Sequence, residues 1–192
     1  MKGLNGGEKL DERKLINAAR VGDKNALEEL IKRYYYPLQK FFTNHDLSFH
    51  TAQDLTHDTI IKIIENIENF KPFRESSFSC WVFKIAYNNM MNYFNSSSNK
   101  MVVEDIEEHQ EIQSPARSIE EEIIGKANRN LINEKLKSLE AADKTIIILR
   151  YINELNYKEI GQILGDNEKK VKWKLHNALE RLRKCIKKED LY

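Results

Sequence analysis

The chain has 192 residues, of which 41% are hydrophobic and 32% are charged, a composition typical of a folded soluble protein. Its apolar runs fall short of the roughly 20 residues that span a bilayer, and its amino-terminal residues lack the apolar core of a signal peptide. These features argue against a membrane protein and predict a cytoplasmic location. The formal net charge of +1 is unevenly distributed, because residues 1–95 sum to +1, residues 96–125 to −6 and residues 126–192 to +6.

The sequence offers little for catalysis or metal binding. Cys80 and Cys185 lie far apart, with no second Cys or His at metal-ligand spacing, which argues against a zinc site or a disulfide. No Gly-rich phosphate loop follows a strand, and no nucleophile can be paired with a positioned base. We therefore expect two buried thiols, no cofactor, no metal and no enzymatic activity.

Three amphipathic segments before the acidic stretch predict helices, and no segment alternates long enough to predict a strand. The first runs from about Glu12 to Arg20 and resumes after a break at Gly22 and Asp23, with Asp23 as the expected N-cap. The second is TAQDLTHDTIIKIIENIENF, whose expected apolar stripe is Leu55, Thr59, Ile60, Ile63, Ile64 and Ile67. The third, SSFSCWVFKIAYNNMMNYFN, is rich in aromatic residues and starts from a Ser cap.

The segment that follows, SSSNKMVVEDIEEHQEIQSPARS, is polar and acidic, contains a proline and shows no sustained helical or strand period. Such a composition is typical of a flexible linker. We therefore predict an all-α fold, in which two small helical domains at residues 1–97 and 118–192 are joined by a flexible acidic linker at residues 98–117.

The segment YKEIGQILGDNEKKVKWKLHNALERLRK, residues 157–184, predicts two helices around a tight turn. Asn156 and Glu159 have the spacing of a capping box at the start of the first helix, and Gly165 suits its carboxy-terminal cap. Asn167 can cap the second helix, and the small Gly161 permits close approach between the two. This pattern is typical of a helix-turn-helix, although an antiparallel helix pair with a solvated basic face has similar spacing.

Two blocks of the chain resemble bacterial sigma factors of the sigma-70 family. DLTHDTIIKIIENIENFKPFRESSFSCWVFKIAYNNMMNYF is similar to region 2 of the extracytoplasmic-function (ECF) group, and LINEKLKSLEAADKTIIILRYINELNYKEIGQILGDNEKKVKWKLHNALERLRK is similar to region 4. The resemblance covers about residues 12–100 and 118–186, in the family's order. It implies a transcription initiation subunit without chemistry of its own. The implied partners are core RNA polymerase, promoter DNA in duplex and melted form, and an anti-sigma factor.

In that family, region 2 docks on the β′ clamp helices of the polymerase, captures the −10 element and helps to melt it. The matching polymerase-binding residues, on the outward face of the second predicted helix, are Asp54, Leu55, Thr56, Asp58 and Thr59. Residues 69–79 match the loop that holds a flipped base of the −10 element. The candidate −10 contacts are Phe73, Arg74, Glu75, Ser76, Ser77, Lys84, Tyr87, Asn88 and Tyr93. Trp81 lies in the same segment, but its helical spacing favours a core position.

Region 4 of the family sits on the β flap of the polymerase and reads the −35 element. The matching residues are Arg150, Lys169, Lys170, Lys172, Trp173, His176 and Asn177. Asn can pair with adenine and Lys prefers guanine, but these side chains do not fix one DNA sequence. The role of Trp173 stays open between packing on a thymine methyl or a sugar and facing the flap.

Two departures from the family pattern affect these expectations. After the third helix the chain has NSSSNK where many members have a run of arginines, so phosphate contact should be weaker there. Asp166 replaces the usual apolar residue before the second-helix cap, and we expect its carboxylate to face solvent because burying an unpaired charge is costly. Two alternatives remain, a sigma-like protein-interaction module and a helix-turn-helix repressor without initiation activity.

Overall fold

The computed structural model describes residues 6–71, 77–97, 136 and 139–185. The part of the chain that it describes is all-helical and forms two domains. Its elements are α1 (Gly6–Arg20), α2 (Lys24–Thr43), α3 (Phe49–Asn66), a 3-10 turn (Ile67–Asn69), α4 (Phe78–Ser97), α5 (Ala141–Ile147), a π-helical segment (Ile148–Ile152), α6 (Tyr157–Leu164) and α7 (Glu168–Cys185). The predicted linker at residues 98–117 lies outside the described residues.

The break between the first two helices forms as predicted. Gly22 has a φ of +94°, a left-handed conformation that glycine adopts without the steric cost that other residues bear. Asp23 then caps α2, because its carboxylate accepts from the backbone N–H groups of Asn25 at 2.9 Å and Ala26 at 3.2 Å. The predicted start of α1 at about Glu12 is too late, since the helix begins at Gly6.

The core of the amino-terminal domain is built from the inward faces of α2, α3 and α4. Its most deeply buried side chains include Leu30, Leu38, Phe41, Phe42, Ile63, Val82, Phe83 and Met90. The predicted stripe of α3 holds for Leu55, Thr59, Ile63 and Ile67, which are buried, but is wrong for Ile64, which is 42% exposed. Ile61 is exposed as well. Successive residues of a helix point in different directions around its axis, so Ile61, Ile63 and Ile64 cannot all face the core.

Aromatic rings fill the space where α3 leads into α4. The ring centroids of Phe70 and Phe78 lie 5.2 Å apart at an interplanar angle of 82°, an edge-to-face arrangement that aromatic pairs favour. Trp81 packs against both rings, at 5.1 Å from Phe70 and 5.4 Å from Phe78. These contacts support the core interpretation for one face of the Trp81 ring. The side chain as a whole is half-buried, so another face of the ring remains accessible.

The carboxy-terminal domain is assembled around the predicted helix-turn-helix. Asn156 and Glu159 form the expected capping box, because the Asn156 Oδ1 accepts from the Glu159 N–H at 3.0 Å and the Glu159 Oε2 accepts from the Asn156 N–H at 2.9 Å. Gly165 ends α6 in the left-handed conformation, with a φ of +72°. The Asn167 side chain accepts from the Lys170 N–H at 2.9 Å at the start of α7.

Gly161 is required by the close approach of the turn to α6. A Cβ atom at this position would stand inside 3.0 Å of the Asp166 backbone oxygen and 3.6 Å from the Val171 Cγ2. The backbone N–H of Asp166 also donates to the Gly161 carbonyl at 2.9 Å. The turn therefore lies directly over Gly161, and the angle between α6 and α7 depends on the absence of a side chain there.

The two domains touch where α4 meets α6. The backbone N–H of Ser77 donates to the Glu159 carboxylate at 3.3 Å, next to the first turn of α4. The Cys80 thiol is 1% exposed and lies 3.5 Å from the Glu159 carbonyl oxygen and 3.4 Å from the Gln162 Oε1. One acidic side chain thus serves both the capping box of α6 and the domain contact.

A second contact joins the loop after α2 to α5. The His45 ring is buried, with Nδ1 2.7 Å from the Phe41 carbonyl oxygen and Nε2 2.9 Å from the Thr145 hydroxyl. Since a carbonyl oxygen only accepts, the neutral ring carries its proton on Nδ1. Burial is the main cause that lowers the pKa of His45 to about 4. Beside it, the buried Lys144 ammonium forms an ion pair with Asp46.

Candidate nucleic-acid interface

The solvent side of α7 presents basic, aromatic and imidazole groups together. Val171 and Leu175 are buried in the core of the domain, which fixes the opposite side of the helix outward. The side chains that the sequence predicts for the −35 element and that the structure exposes are Lys169, Lys170, Lys172, Trp173 and His176. Trp173 is 64% exposed, which is unusual for so large an apolar ring and favours a partner-contacting role over a core role.

Two other predicted −35 residues are less accessible. Asn177 is half-buried, at the edge of the exposed face. Arg150 is also half-buried, and its guanidinium donates to the Leu155 carbonyl oxygen at 2.9 Å and lies 4.8 Å from the centroid of the Tyr157 ring. Arg150 therefore joins the π-helical segment to the start of α6, and this internal role competes with the predicted backbone contact.

The expectation that Asp166 faces solvent is wrong. Its side chain is only 6% exposed and forms ion pairs with Lys170, at 2.6 Å, and with Lys174. Hydrogen bonds from Lys170 and then from Lys174 hold the pKa of the carboxyl below its usual range. The carboxylate can be covered because two ammonium groups, one and two turns along α7, fold back over it.

The −10 candidates divide between α4 and residues that the structure leaves undescribed. Phe73, Arg74, Glu75 and Ser76 lie outside the described residues. Ser77 caps α4, since its hydroxyl accepts from the Cys80 N–H at 3.1 Å. Further along α4, Lys84 and Asn88 are exposed, whereas Tyr87 and Tyr93 are half-buried. Burial, and secondly the Asp166 carboxylate of the other domain, raise the pKa of Tyr87.

A cavity of about 370 Å³ opens between α3, the 3-10 turn and α4. Its lining is rich in side-chain amides and includes Lys62, Asn66, Asn69, Trp81, Ile85, Asn88, Asn89 and Asn92. Asn89 is held in place, because its Nδ2 donates to the Thr59 hydroxyl at 3.0 Å and its Oδ1 contacts the Lys62 ammonium. Amides offer both donors and acceptors beside the flat Trp81 ring, a combination that suits a nucleobase.

Among these lining residues, sequence reasoning named Asn88 as a −10 contact, included Asn69 in the loop that holds a flipped base, and assigned Trp81 to the core. The signal that could have revealed the rest is the spacing of Asn88, Asn89 and Asn92, which places three amides on neighbouring turns of one helix. Lys62 and Asn69 come from a different helix and turn, so their convergence depends on how α3 packs against α4.

The predicted polymerase-binding face of α3 is only partly exposed. Asp54 and Asp58 point to solvent, as expected. The outward placement that the resemblance implied is wrong for Leu55, Thr56 and Thr59, which are all buried, whereas the apolar stripe predicted from spacing is confirmed for Leu55 and Thr59. Both threonine hydroxyls donate to backbone carbonyls one turn earlier, at 2.7 Å, so their polar groups are satisfied within the helix.

Within the described residues, no group of three or more His, Cys, Asp or Glu side chains could hold a metal ion. None of the helices in that part of the chain is both long enough and apolar enough to cross a bilayer.

Comparison with known protein families distinguishes the same two regions. Residues 30–99 match the family described as Sigma-70 region 2, and residues 136–184 match the family described as Sigma-70, region 4. Together these matches cover more than half of the chain. Their order along the chain agrees with the two helical domains of the structure.

Similar solved structures share the fold. CnrH, solved in complex with the cytosolic domain of CnrY, gives a TM-score of 0.64 at 20% identity, covering 90% of this chain and 94% of the matched chain. The sigma factor RpoE, solved with the anti-sigma factor NepR from Bartonella quintana, gives 0.63 at 19% identity, covering 82% and 94%.

Curated relatives extend over most of the chain. It is 26% identical to the RNA polymerase sigma factor YlaC of Bacillus subtilis, over 86% of this chain and 94% of YlaC. It is also 26% identical to the ECF RNA polymerase sigma-E factor of Haemophilus influenzae, over 93% of this chain and 97% of that protein. The chain therefore belongs to the sigma-70 family and is an ECF sigma factor, a non-enzymatic subunit that directs RNA polymerase to specific promoters for transcription initiation.

Proposed function

We propose that the carboxy-terminal domain, residues 118–192, reads the −35 element with the exposed side of α7. The observation that carries this proposal is the outward placement of Lys172, Trp173 and His176 on a helix whose opposite stripe is buried. A helix placed in this way can enter a major groove and present side chains to base edges. Lys169, near the amino-terminal end of α7, is placed to contact a phosphate.

The amino-terminal domain, residues 1–97, is proposed to bind the −10 element along α4 and at the amide-lined cavity. The cavity-lining residues Asn69 and Trp81 lie on either side of one segment in the sequence, and that segment's candidates Phe73, Arg74, Glu75 and Ser76 are proposed to hold the flipped base. Flipping a base costs a few kcal/mol of unstacking, which stacking and edge hydrogen bonds can offset. Lys84 is exposed one turn further along α4 and would contact the phosphates of the opened strand.

Docking on core RNA polymerase is assigned to the exposed side of α3, where Asp54 and Asp58 lie near the exposed Ile61 and Ile64. Carboxylates beside an accessible apolar surface suit a partner with basic and apolar groups. The β′ clamp helices are the proposed partner for this side, and the β flap is the proposed partner of the carboxy-terminal domain. An anti-sigma factor is also proposed, since the similar RpoE structure contains one. A cytoplasmic location follows from the polymerase partner.

The experiment that tests this function combines transcript mapping with run-off transcription. Overexpression identifies the promoters that the chain activates, and run-off reactions with purified core polymerase then use templates with either the −35 or the −10 element scrambled. We expect loss of transcript from both altered templates. If the chain copurifies with core polymerase but adds no transcript to core polymerase alone, it is a sigma-like protein-interaction module. If it binds operator DNA tightly without polymerase, a helix-turn-helix repressor is the better account.

A further inference from the structure

The turn of the helix-turn-helix contains a carboxylate that neutralises part of the DNA-facing helix. Asp166 is 6% exposed at its side chain, and it binds the ammonium groups of both Lys170 and Lys174. Asp166 precedes the helix cap, so its position is fixed by the turn rather than by α7 itself. The carboxylate therefore draws two lysines of the first two turns of α7 back toward the turn.

Without this carboxylate, both lysines would be available to DNA. The Lys170 side chain is 55% exposed and the Lys174 side chain is 37% exposed, so each needs only a change of rotamer to reach solvent. They project from a flank of α7, beside the exposed side that carries Trp173 and His176. Flanking cations on a groove-binding helix meet the phosphate backbone, which carries no sequence information directly.

We infer that Asp166 is a positioning residue that lowers sequence-independent DNA affinity: by binding Lys170 and Lys174, it withholds two ammonium groups from the DNA phosphates. This inference rests on the proposed −35 role of α7. Phosphate contacts add the same free energy for every DNA sequence, so freeing both lysines should raise the affinity for all sequences and leave the preference for the −35 element unchanged.

The arrangement differs from the other ion pair at the start of α7. Lys172 binds Glu168 at 2.7 Å, but both side chains are about half exposed, and such pairs exchange readily with solvent and with phosphate. Asp166 binds two ammonium groups at once, so it keeps one partner when the other exchanges. All three groups belong to the carboxy-terminal domain.

The test measures promoter binding by reconstituted holoenzyme as a function of salt concentration. Two DNA fragments are compared, one with the native −35 element and one with that element scrambled. Each phosphate contact adds about 0.9 to the slope of log K against log salt. We expect Asp166→Asn to bind both fragments more tightly at low salt and to steepen the slope by up to about 1.8. The gain should be the same for both fragments, because phosphate contacts do not depend on the base sequence.

Three further variants separate this effect from a change in fold or in total charge. Glu168→Gln also removes one carboxylate near the start of α7, and it should change the slope less than Asp166→Asn. Asp166→Glu keeps the charge and should stay near the wild-type slope. Adding Lys170→Ala and Lys174→Ala to Asp166→Asn should abolish the gain. A turn that merely lost its structure would bind promoter more weakly, not more tightly.

Several results would overturn the inference while leaving the proposed function intact. One is an Asp166→Asn holoenzyme with the wild-type slope and the wild-type affinity for both fragments. Another is an equal steepening by Glu168→Gln, which would indicate a general effect of net charge. A wild-type holoenzyme that does not distinguish the native from the scrambled −35 element would instead contradict the proposed reading role of α7.

Discussion

Replacing Gly161 by alanine should distort the helix-turn-helix. The new Cβ would stand inside 3.0 Å of a backbone oxygen, that of Asp166, which cannot rotate away as a side chain can. Overpacking of this kind costs about 1–3 kcal/mol, whereas alanine in a helix interior recovers about 1 kcal/mol relative to glycine. Because the obstructing atom belongs to the backbone, the upper part of the range applies, and we expect a net destabilisation of about 1–2 kcal/mol.

The measurement is urea unfolding of the full chain followed by far-UV circular dichroism, together with promoter-specific run-off transcription. Gly22→Ala is the matched control in the other domain, because Gly22 has a left-handed conformation, with a φ of +94°. Leaving aside its chain neighbours, no atom of the described residues lies within 4 Å of the position that its Cβ would occupy. That variant should lose stability through backbone strain but keep its promoter preference. Gly161→Ala should lose both stability and transcription, because the turn and α7 must move away from α6. A Gly161→Ala chain as stable as wild type would refute the argument from close approach.

Three further predictions concern pH, polymerase docking and base reading. His45 has a pKa of about 4 in the folded chain against 6.5 when unfolded, so the unfolded state binds more protons between these pH values. The free energy of unfolding should therefore fall by about 3 kcal/mol as the pH drops from 6.5 to 4. His45→Gln should flatten this dependence in urea titrations at several pH values. Charge reversal at Asp54 and Asp58 should reduce pull-down of core polymerase with unchanged helicity, and undiminished pull-down would reject that face. Asn177→Ala should relax the −35 preference at one base pair by about 1–3 kcal/mol. Lys169→Ala should instead weaken binding to all DNA sequences and flatten its salt dependence. If both variants lose promoter-library transcription equally and uniformly, this side of α7 does not read bases.

The local features of the helix-turn-helix could be predicted from the sequence because they depend on neighbouring residues. The capping box of Asn156 and Glu159 and the left-handed Gly165 are set by spacings of three to nine residues, and each is confirmed by its geometry. The environment of Asp166 could not be predicted in this way. It depends on the rotamers of two lysines and on how the turn sits over α6, and the cost of burying a lone carboxylate does not apply once both ammonium groups bind it.

The candidate site on α3 shows a second limit of sequence reasoning. The family resemblance placed Thr56 and Thr59 on an outward face, although both are fully buried. A threonine hydroxyl that donates to a backbone carbonyl one turn earlier needs no solvent, so this polar side chain can occupy the apolar side of a helix. The cavity next to α4 was missed for a different reason, because Lys62 and Asn89 are 27 positions apart and meet only through tertiary packing.

Because Cys80 is buried, the reactivity of its thiol can report separation of the two domains. The thiol is 1% exposed under α6, so a thiol reagent can reach it only when α6 leaves α4 or when the amino-terminal domain unfolds. The two routes differ in their dependence on urea, because parting of two folded domains exposes far less surface than unfolding one of them. With Cys185→Ser, Cys80 is the sole thiol of the sequence. Its labelling rate, with and without polymerase, then measures how often the two domains part.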